Sequence, residues 1–340
     1  MGKIIECVPN FSEGRDQSII EKIANSAMGI EGCMILGVEP DPDYNRTVLT
    51  IAGEPDSVVQ AAFNVIKSSF EHIDMRKHKG EHPRIGAVDV CPFIPIQEST
   101  MQECVELATR LAQKVSEELS IPAFLYGYAA VSEDRRLLSD LRKGEYESLA
   151  ERYANNGPLM PDFGPSQWTE KIAKFGAVVI GARDILVAYN VNLQETDAAV
   201  AKKVGTIIRS SGRLIKNSTG DKMRIPGMLE MVQGMGLPLE SHGISQVSMN
   251  LRDINATSLH TAFEAVKSIA NDHSVETFGS EIVGLVPLST MLDAGRWYNE
   301  IENPTDQDLV NFAIKGLGLD KLGPFDANSR IIEWAVKEGN

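Results

Sequence analysis

Long apolar runs, paired cysteines and a basic surplus are all missing from this 340-residue sequence, and each absence removes a class of function. No apolar stretch approaches the roughly 20 residues that cross a bilayer. The N-terminus runs straight into Lys3-Ile4-Ile5-Glu6-Cys7-Val8 with no signal-type segment or cleavage site, so the expected compartment is the cytoplasm. Four cysteines, Cys7, Cys33, Cys91 and Cys104, form no C-x-x-C pair and have no histidine at zinc-ligand spacing. They read as reduced packing residues. Lysine and arginine number 33 against 47 acidic residues, a net charge of -14. That argues against a general nucleic-acid or anionic-membrane binder, since both need a basic face. Cations for any anionic ligand must therefore be gathered locally.

What is present is an ordinary globular composition, 43% apolar and 24% charged, over a length sufficient for two domains with their own cores. One unit appears twice. The first half reads strand (Ile4 to Val8), helix (Gln17 to Met28), strand (Cys33 to Glu39), strand (Arg46 to Ala52), helix (Asp56 to His72) and strand (Ala87 to Phe93). A long helix follows, with Ser99 and Gln102 expected to form its capping box. A strand at Ala123 to Tyr126 and a charged helical stretch from Arg135 to Tyr153 complete the half. After the breaker-rich loop Asn155 to Gly164 the order returns. It runs strand Asp184 to Asn192, helix Thr196 to Ser210, strands near Gly227 to Val232 and Ile244 to Leu251, helix Thr257 to Asn271 and strand Ser280 to Val286. The expected fold is α/β (α+β), with two subdomains at 1–180 and 181–330. Each is a β-α-β-β-α-β ferredoxin-like sheet with helices on one face, and together they enclose a ligand cleft.

The polar residues such a scaffold does not need are concentrated between Arg76 and Asp89. Here two histidines, His78 and His82, stand four apart, Gly80 and Gly86 permit close backbone approach, and Asp89 sits in an apolar strand. A buried carboxylate needs a partner, and one facing an imidazole would orient it and raise its basicity. His82 is the best catalytic candidate on this reading. The bland alternative is a solvated basic loop with Asp89 satisfied by backbone. A His78/His82 metal pair would require a helix, which Gly80 and Pro83 oppose, and no third ligand follows, so no metal is expected. Pro9-Asn10-Phe11-Ser12-Glu13-Gly14-Arg15 precedes a helix N-terminus, where N–H groups can hold an anion. Asp41, Asp43, Asn45 and Arg46 crowd a hairpin. Asn190 and Asn192 alternate with apolar residues and place two amides on one sheet face, suited to a pterin-like or carboxylate ligand.

Cys7-Val8-Pro9-Asn10-Phe11-Ser12-Glu13-Gly14-Arg15, Asn45-Arg46-Thr47-Val48, the block from His78 to Phe93, Gly181-Ala182-Arg183, Asn190-Val191-Asn192-Leu193 and Glu281 to Pro287 together resemble the formiminotransferase family over nearly the whole chain. The resemblance implies a homodimer that transfers a formimino group from N-formimidoyl-L-glutamate to tetrahydrofolate, its co-substrate, in histidine degradation. It places the family's catalytic histidine on His82 and its folate-binding stretch on Phe163, Gly164, Pro165, Ser166, Gln167 and Trp168. Glutamate and the folate tail carry carboxylates, so Arg46, Lys79, Arg84 and Arg183 are the candidate cations. The substrate-binding set is then Asn10, Asn45, Arg46, His78, Lys79, Arg84, Asp89, Arg183, Asn190 and Asn192. The sequence ends soon after the second lobe, so a separate cyclodeaminase is the expected consumer of the product. Two alternatives stand beside this reading: formyl transfer between the same partners in folate salvage, and a non-catalytic folate-binding protein.

Overall fold

The computed structural model describes residues 2–80, 82–155, 159–216, 219–239 and 242–338. Glu81 of the charged cluster and residues 156–158 of the boundary loop lie outside the described residues. The chain divides into two units, Met1–Asp184 with Val336–Asn340, and Ile185–Ala335, each mixing helices with a sheet.

In the first unit β1 (Ile4–Cys7) and β2 (Asn10–Phe11) are one strand interrupted at Val8-Pro9. Pro9 has no N–H for the ladder and offers only its carbonyl, to Leu49 N at 3.0 Å. After α1 (Gln17–Asn25), β3 (Cys33–Asp41) and β4 (Arg46–Gly53) form a hairpin, and α2 (Pro55–His72) leads to β5 (Val88–Gln97). The β1/β2 strand lies between β4 and β5 and is antiparallel to both. Beyond α3 (Met101–Leu119), β6 (Ala123–Gly127) and, after the short helix α6 (Glu170–Phe175), a strand at Val178–Ala182, β7, extend the sheet from β5 in parallel. The order is β3-β4-β1/β2-β5-β7-β6.

The strand β7 spans the 180/181 boundary drawn from the sequence. Its run Ala177-Val178-Val179-Ile180 is fully buried, and a strand covered on both faces reads as a short unbroken apolar run rather than an alternation. Helices α1, α2 and α3 cover one face, where Ile23, Val58, Ile66 and Val115 pack with Ile5, Ile51 and Ile180. The other face of β6 and β7 is not bare. Phe124, Tyr126 and Val179 point into a second cluster with Leu141 and Leu149, from α4 (Leu138–Leu141) and α5 (Leu149–Ala154). Helices on one face alone is therefore corrected for this unit. The stretch read as one helix from Arg135 to Tyr153 is broken at Gly144 and Glu145, both at positive φ. Burying two leucines is worth about 1.5–3 kcal/mol each, enough to seat this broken segment against the sheet.

The α3 cap also lies one residue later than predicted. Thr100 Oγ1 accepts from Glu103 N at 3.2 Å and Glu103 accepts from Thr100 N at 2.8 Å, a reciprocal capping box. Ser99 instead donates to the Ile4 carbonyl at 3.0 Å and so ties the helix entry to β1.

The second unit runs β8 (Val187–Leu193), α7 (Ala199–Ile208), an exposed hairpin β9 (Arg213–Lys216) and β10 (Lys222–Ile225), β11 (Val232–Leu239), β12 (Ile244–Leu251), α8 (Leu259–Asn271) and β13 (Thr277–Val283). Its sheet is antiparallel in the order β11-β12-β8-β13. The hairpin was not foreseen because neither of its faces is buried, which leaves no alternation to read. The strand expected to end at Val232 begins there. Helices α9 (Leu288–Tyr298) and α10 (Asp306–Leu317) add Met291, Ala294, Val310 and Leu317 to this core, followed by α11 (Ala327–Arg330) and α12 (Ile332–Glu338). Among the described residues no helix is long and apolar enough to cross a membrane.

Candidate active site

The predicted residues of the first unit fall into two knots and a separate sheet-edge segment. The first knot holds the loop before β5 in place. Asn45, at φ 50° in the hairpin turn, is buried and uses both side-chain polar atoms and its carbonyl: Oδ1 accepts from Gly14 N at 3.0 Å, Nδ2 donates to Lys79 O at 2.9 Å, and the carbonyl faces His78 Nε2 at 3.0 Å. A carbonyl only accepts, so His78 carries its proton on Nε2, leaving Nδ1 to accept from Arg84 Nε at 3.3 Å. Burial, opposed by the Asn45 carbonyl and reinforced by Arg84, holds the His78 pKa below its ordinary value.

Arg84 is buried, and its other nitrogens go to Glu145 at 2.8 Å and to Glu147 at 2.6 and 2.9 Å. Glu147 raises the Arg84 pKa and is itself held low by the guanidinium. The loop passes so close to the hairpin that a Cβ on Gly80 would stand 2.3 Å from the Tyr44 carbonyl oxygen, which explains the glycine. Together with Met75, Arg76 and Tyr146, the residues His78, Gly80, Arg84, Glu145 and Glu147 line an open cavity of about 630 Å³, with the exposed side chain of Lys79 at its wall.

The second knot contains His82, which does not line that cavity. Its ring is half-buried, packs edge-on against Tyr44 with centroids 5.6 Å apart, and places Nδ1 2.7 Å from the Pro83 carbonyl. Arg46, the first residue of β4, reaches the ring with Nη1, 2.7 Å from Nδ1 and closer to Nε2. The carbonyl can only accept and the guanidinium can only donate, so the consistent assignment is a neutral ring with the proton on Nδ1 and the lone pair on Nε2. Burial first, and then Arg46, lower the His82 pKa. Arg46 is anchored through Nε to Asn10 Oδ1 at 3.1 Å, and Asn10 is oriented by its own Nδ2 bond to Val8 O at 2.8 Å. Burial pushes the guanidinium pKa down to about 10, so it remains a cation at neutral pH.

Asp89 is buried as expected, but its carboxylate is directed elsewhere than the imidazole. It accepts from Ile85 N at 3.0 Å and from Arg142 Nε at 3.1 Å, with a second contact to Arg142 Nη2. The pair influences Arg46 and His82 through space, Asp89 favouring and Arg142 opposing their charged forms. Arg142, Glu145 and Glu147 are site residues the sequence reading passed over. The available signal was the need of a buried Asp89 for a cation, together with a glycine interrupting a supposed helix.

The segment Phe163 to Trp168 runs along the β6 edge. Phe163 pairs with Ala123, Pro165 O accepts from Tyr153 at 3.2 Å, and the exposed Trp168 ring stands edge-on to Tyr153 at 5.7 Å. Arg183 follows β7 and donates to the Asp184 carbonyl at 2.9 Å. In the second unit Asn190 and Asn192 do share one face of β8. Asn192 Oδ1 accepts from Gln246 Nε2 at 2.8 Å, and its buried Nδ2 has no hydrogen-bond partner among the described residues. Asn190 Nδ2 lies 3.5 Å from Glu281. No group of three or more metal-ligating side chains occurs among the described residues.

Two family models cover the chain: the formiminotransferase domain, N-terminal subdomain, over residues 4–183, and the formiminotransferase domain over residues 188–337. The chain belongs to the formiminotransferase family. Glutamate formimidoyltransferase of Streptococcus pyogenes serotype M1 is 39% identical over 304 residues, 89% of this chain and 95% of that one. The protein of the same name from Thermoplasma acidophilum is 40% identical over 300 residues, 88% of this chain and 93% of that one. Formimidoyltransferase-cyclodeaminase of Mus musculus is 42% identical over 99% of this chain, which spans 61% of that relative's length.

Proposed function

We propose that the chain transfers the formimino group of N-formimidoyl-L-glutamate to tetrahydrofolate, giving 5-formimidoyltetrahydrofolate and L-glutamate in histidine degradation. The relatives named for this activity and matched over more than nine-tenths of their length support it. The observation that carries the mechanism is His82: a half-buried, neutral imidazole whose Nδ1 proton is committed to a backbone carbonyl and whose Nε2 lone pair, facing the Arg46 N–H, can take a proton once that contact is exchanged for substrate.

The reaction needs such a group. A pterin N–H nitrogen adds to the amidinium carbon, forming a C–N bond while the C=N electron pair moves to the formimino nitrogen. His82 Nε2 takes the proton from the attacking nitrogen and delivers it to the glutamate nitrogen. The bond from carbon to that nitrogen then breaks, its electron pair stays with glutamate, and the C=N bond re-forms. One proton shuttled between two nitrogens suits a base with a pKa near or below neutrality, an effect typically worth ~10²–10⁴-fold.

Lys79 and Arg183 are the cations we assign to substrate carboxylates. Arg84, held by Glu145 and Glu147, with His78 and Asn45, is assigned to shaping the loop, and Asp89 to anchoring Arg142. Trp168 presents an exposed aromatic ring on which a planar ligand ring can stack. Asn192 Nδ2 is a buried donor suited to a ligand oxygen or nitrogen. We further infer that each unit is a ferredoxin-like module, since β1/β2 lies between β4 and β5 and β8 lies between β12 and β13. The family resemblance supports a cytoplasmic homodimer.

The test is turnover of tetrahydrofolate with N-formimidoyl-L-glutamate by purified protein, with N-formyl-L-glutamate run in parallel. Formimino turnover is expected. Turnover of the formyl substrate alone would replace this reading with folate salvage, and folate binding without turnover of either would replace it with a binding protein.

A further inference from the structure

The guanidinium of Arg46 is expected to hold a substrate carboxylate, yet in the structure it is spent on two side chains of its own unit. We propose that Arg46 is a positioning residue: anchored on Asn10, it acts with the Pro83 carbonyl to hold His82 in the Nδ1–H tautomer, the guanidinium occupying the Nε2 side of the ring until substrate arrives. The inference rests on His82 being the proton shuttle.

Geometry supports each part. Asn10 cannot turn its amide over without giving up the Val8 carbonyl, so Oδ1 stays towards Arg46. Arg46 Nε is fixed on that oxygen, which leaves Nη1 for the ring. Pro83 O fixes the proton on Nδ1, so Nε2 is the nitrogen able to receive the guanidinium N–H. Sequence order helps. Arg46 opens β4 while Asn10 pairs with Val48 on that strand, so the anchor and the arginine are set by one ladder.

Among the described residues the charges around His82 come from three elements: Arg46 on β4, Asp89 on β5, and Arg142 following α4, with the Tyr44 ring at the edge. Asp89 and Arg142 largely offset one another, being paired through two contacts. Among the described residues Arg46 is, of these three, the charge without an oppositely charged partner, since it bonds to an amide and an imidazole. A protonated His82 would face it as a like charge. In the reaction the attacking nitrogen displaces the Arg46 N–H from Nε2 and gives its proton to that nitrogen. Repulsion between imidazolium and guanidinium then favours passing the proton on to the departing glutamate nitrogen. The proton is conserved, and no further reactant is needed.

The test reads His82 directly, so it does not depend on which reaction the protein performs. Imidazole nitrogen and carbon shifts of His82 are followed by NMR against pH in ligand-free wild type, Arg46→Met, Arg46→Lys and Asn10→Ala. Wild type is expected in the Nδ1–H tautomer, titrating below about 6.5. In Arg46→Met the midpoint rises by about 1 pH unit, and the acid limb of kcat/KM moves with it. Arg46→Lys keeps the charge but not the fork, so the midpoint stays near wild type while kcat falls. Asn10→Ala loosens the anchor and gives a mixture of tautomers. A His82 midpoint unchanged in Arg46→Met, or an Nε2–H tautomer in wild type, overturns the proposal. If Arg46→Met does not fold, the Asn10→Ala tautomer ratio decides by itself. Loss of turnover on formimino substrate with these NMR results intact would refute the reaction and leave the positioning role standing.

Discussion

Arg142 closes over Asp89 with two hydrogen-bonding contacts, joining an otherwise irregular charged segment to the middle of the first unit's sheet. The carboxylate is 1% exposed and the guanidinium side chain 14%. Removing one member of such a pair leaves an uncompensated buried charge. Arg142→Ala is therefore expected to lower stability by about 3–5 kcal/mol in urea unfolding. A loss under about 1 kcal/mol would show that Asp89 is satisfied by the Ile85 amide alone.

Both histidines of the loop titrate below the ordinary histidine value, His78 and His82 alike chiefly through burial. The native protein therefore binds fewer protons than the unfolded chain once pH drops below about 6.5. Their stabilising contribution is fully present above that pH and is lost as pH falls through the lower folded values. Activity should follow in the same direction if His82 is the proton acceptor we propose, because its protonated ring cannot take a proton from the attacking nitrogen. Urea midpoints and kcat/KM measured from pH 5 to 8 check this, and an acid limb above pH 7 would contradict it.

All four cysteines are buried and free, and burial pushes the thiols of Cys33 and Cys104 up to about 11 and 12. The thiolate is the reactive form. A disulfide reagent should find no rapidly reacting thiol in the native protein at pH 8 and four after denaturation. One fast native thiol would mean that a strand carrying it opens readily.

Thr100 and Glu103 cap α3 reciprocally. Thr100→Ala should cost about 1 kcal/mol in chemical unfolding with activity unchanged. Loss of activity at preserved stability would point to a role for the helix entry that its geometry does not suggest.

How far the sequence could be read follows from what each residue announces. Ile19, Ile23, Val58, Phe63 and Val115 repeat at helical spacing, and α1, α2 and α3 lie where that spacing puts them. Strand β7 was hidden because burial on both faces erases alternation, and the β9–β10 hairpin because exposure on both faces does the same. In the site, the unusual density of charge between Arg76 and Asp89 was legible. Its internal wiring was not. Arg84 and Asp89 find their partners 53 to 63 residues away, on Glu145, Glu147 and Arg142, within a segment whose composition resembles a solvated helix. Pairing at such separation is a property of the folded sheet, and a linear pattern does not carry it.

If His82 moves the proton while other residues hold the substrates, as proposed, rate and substrate affinity should separate on its removal. The most direct measurement is kcat of His82→Asn with tetrahydrofolate and N-formimidoyl-L-glutamate, beside the Kd for tetrahydrofolate of the same variant. The expected result is kcat lower by ~10²–10⁴-fold, with Kd within about threefold of wild type. A His82→Asn enzyme that turns over at the wild-type rate, or one whose lost rate is matched by lost folate affinity, would contradict it.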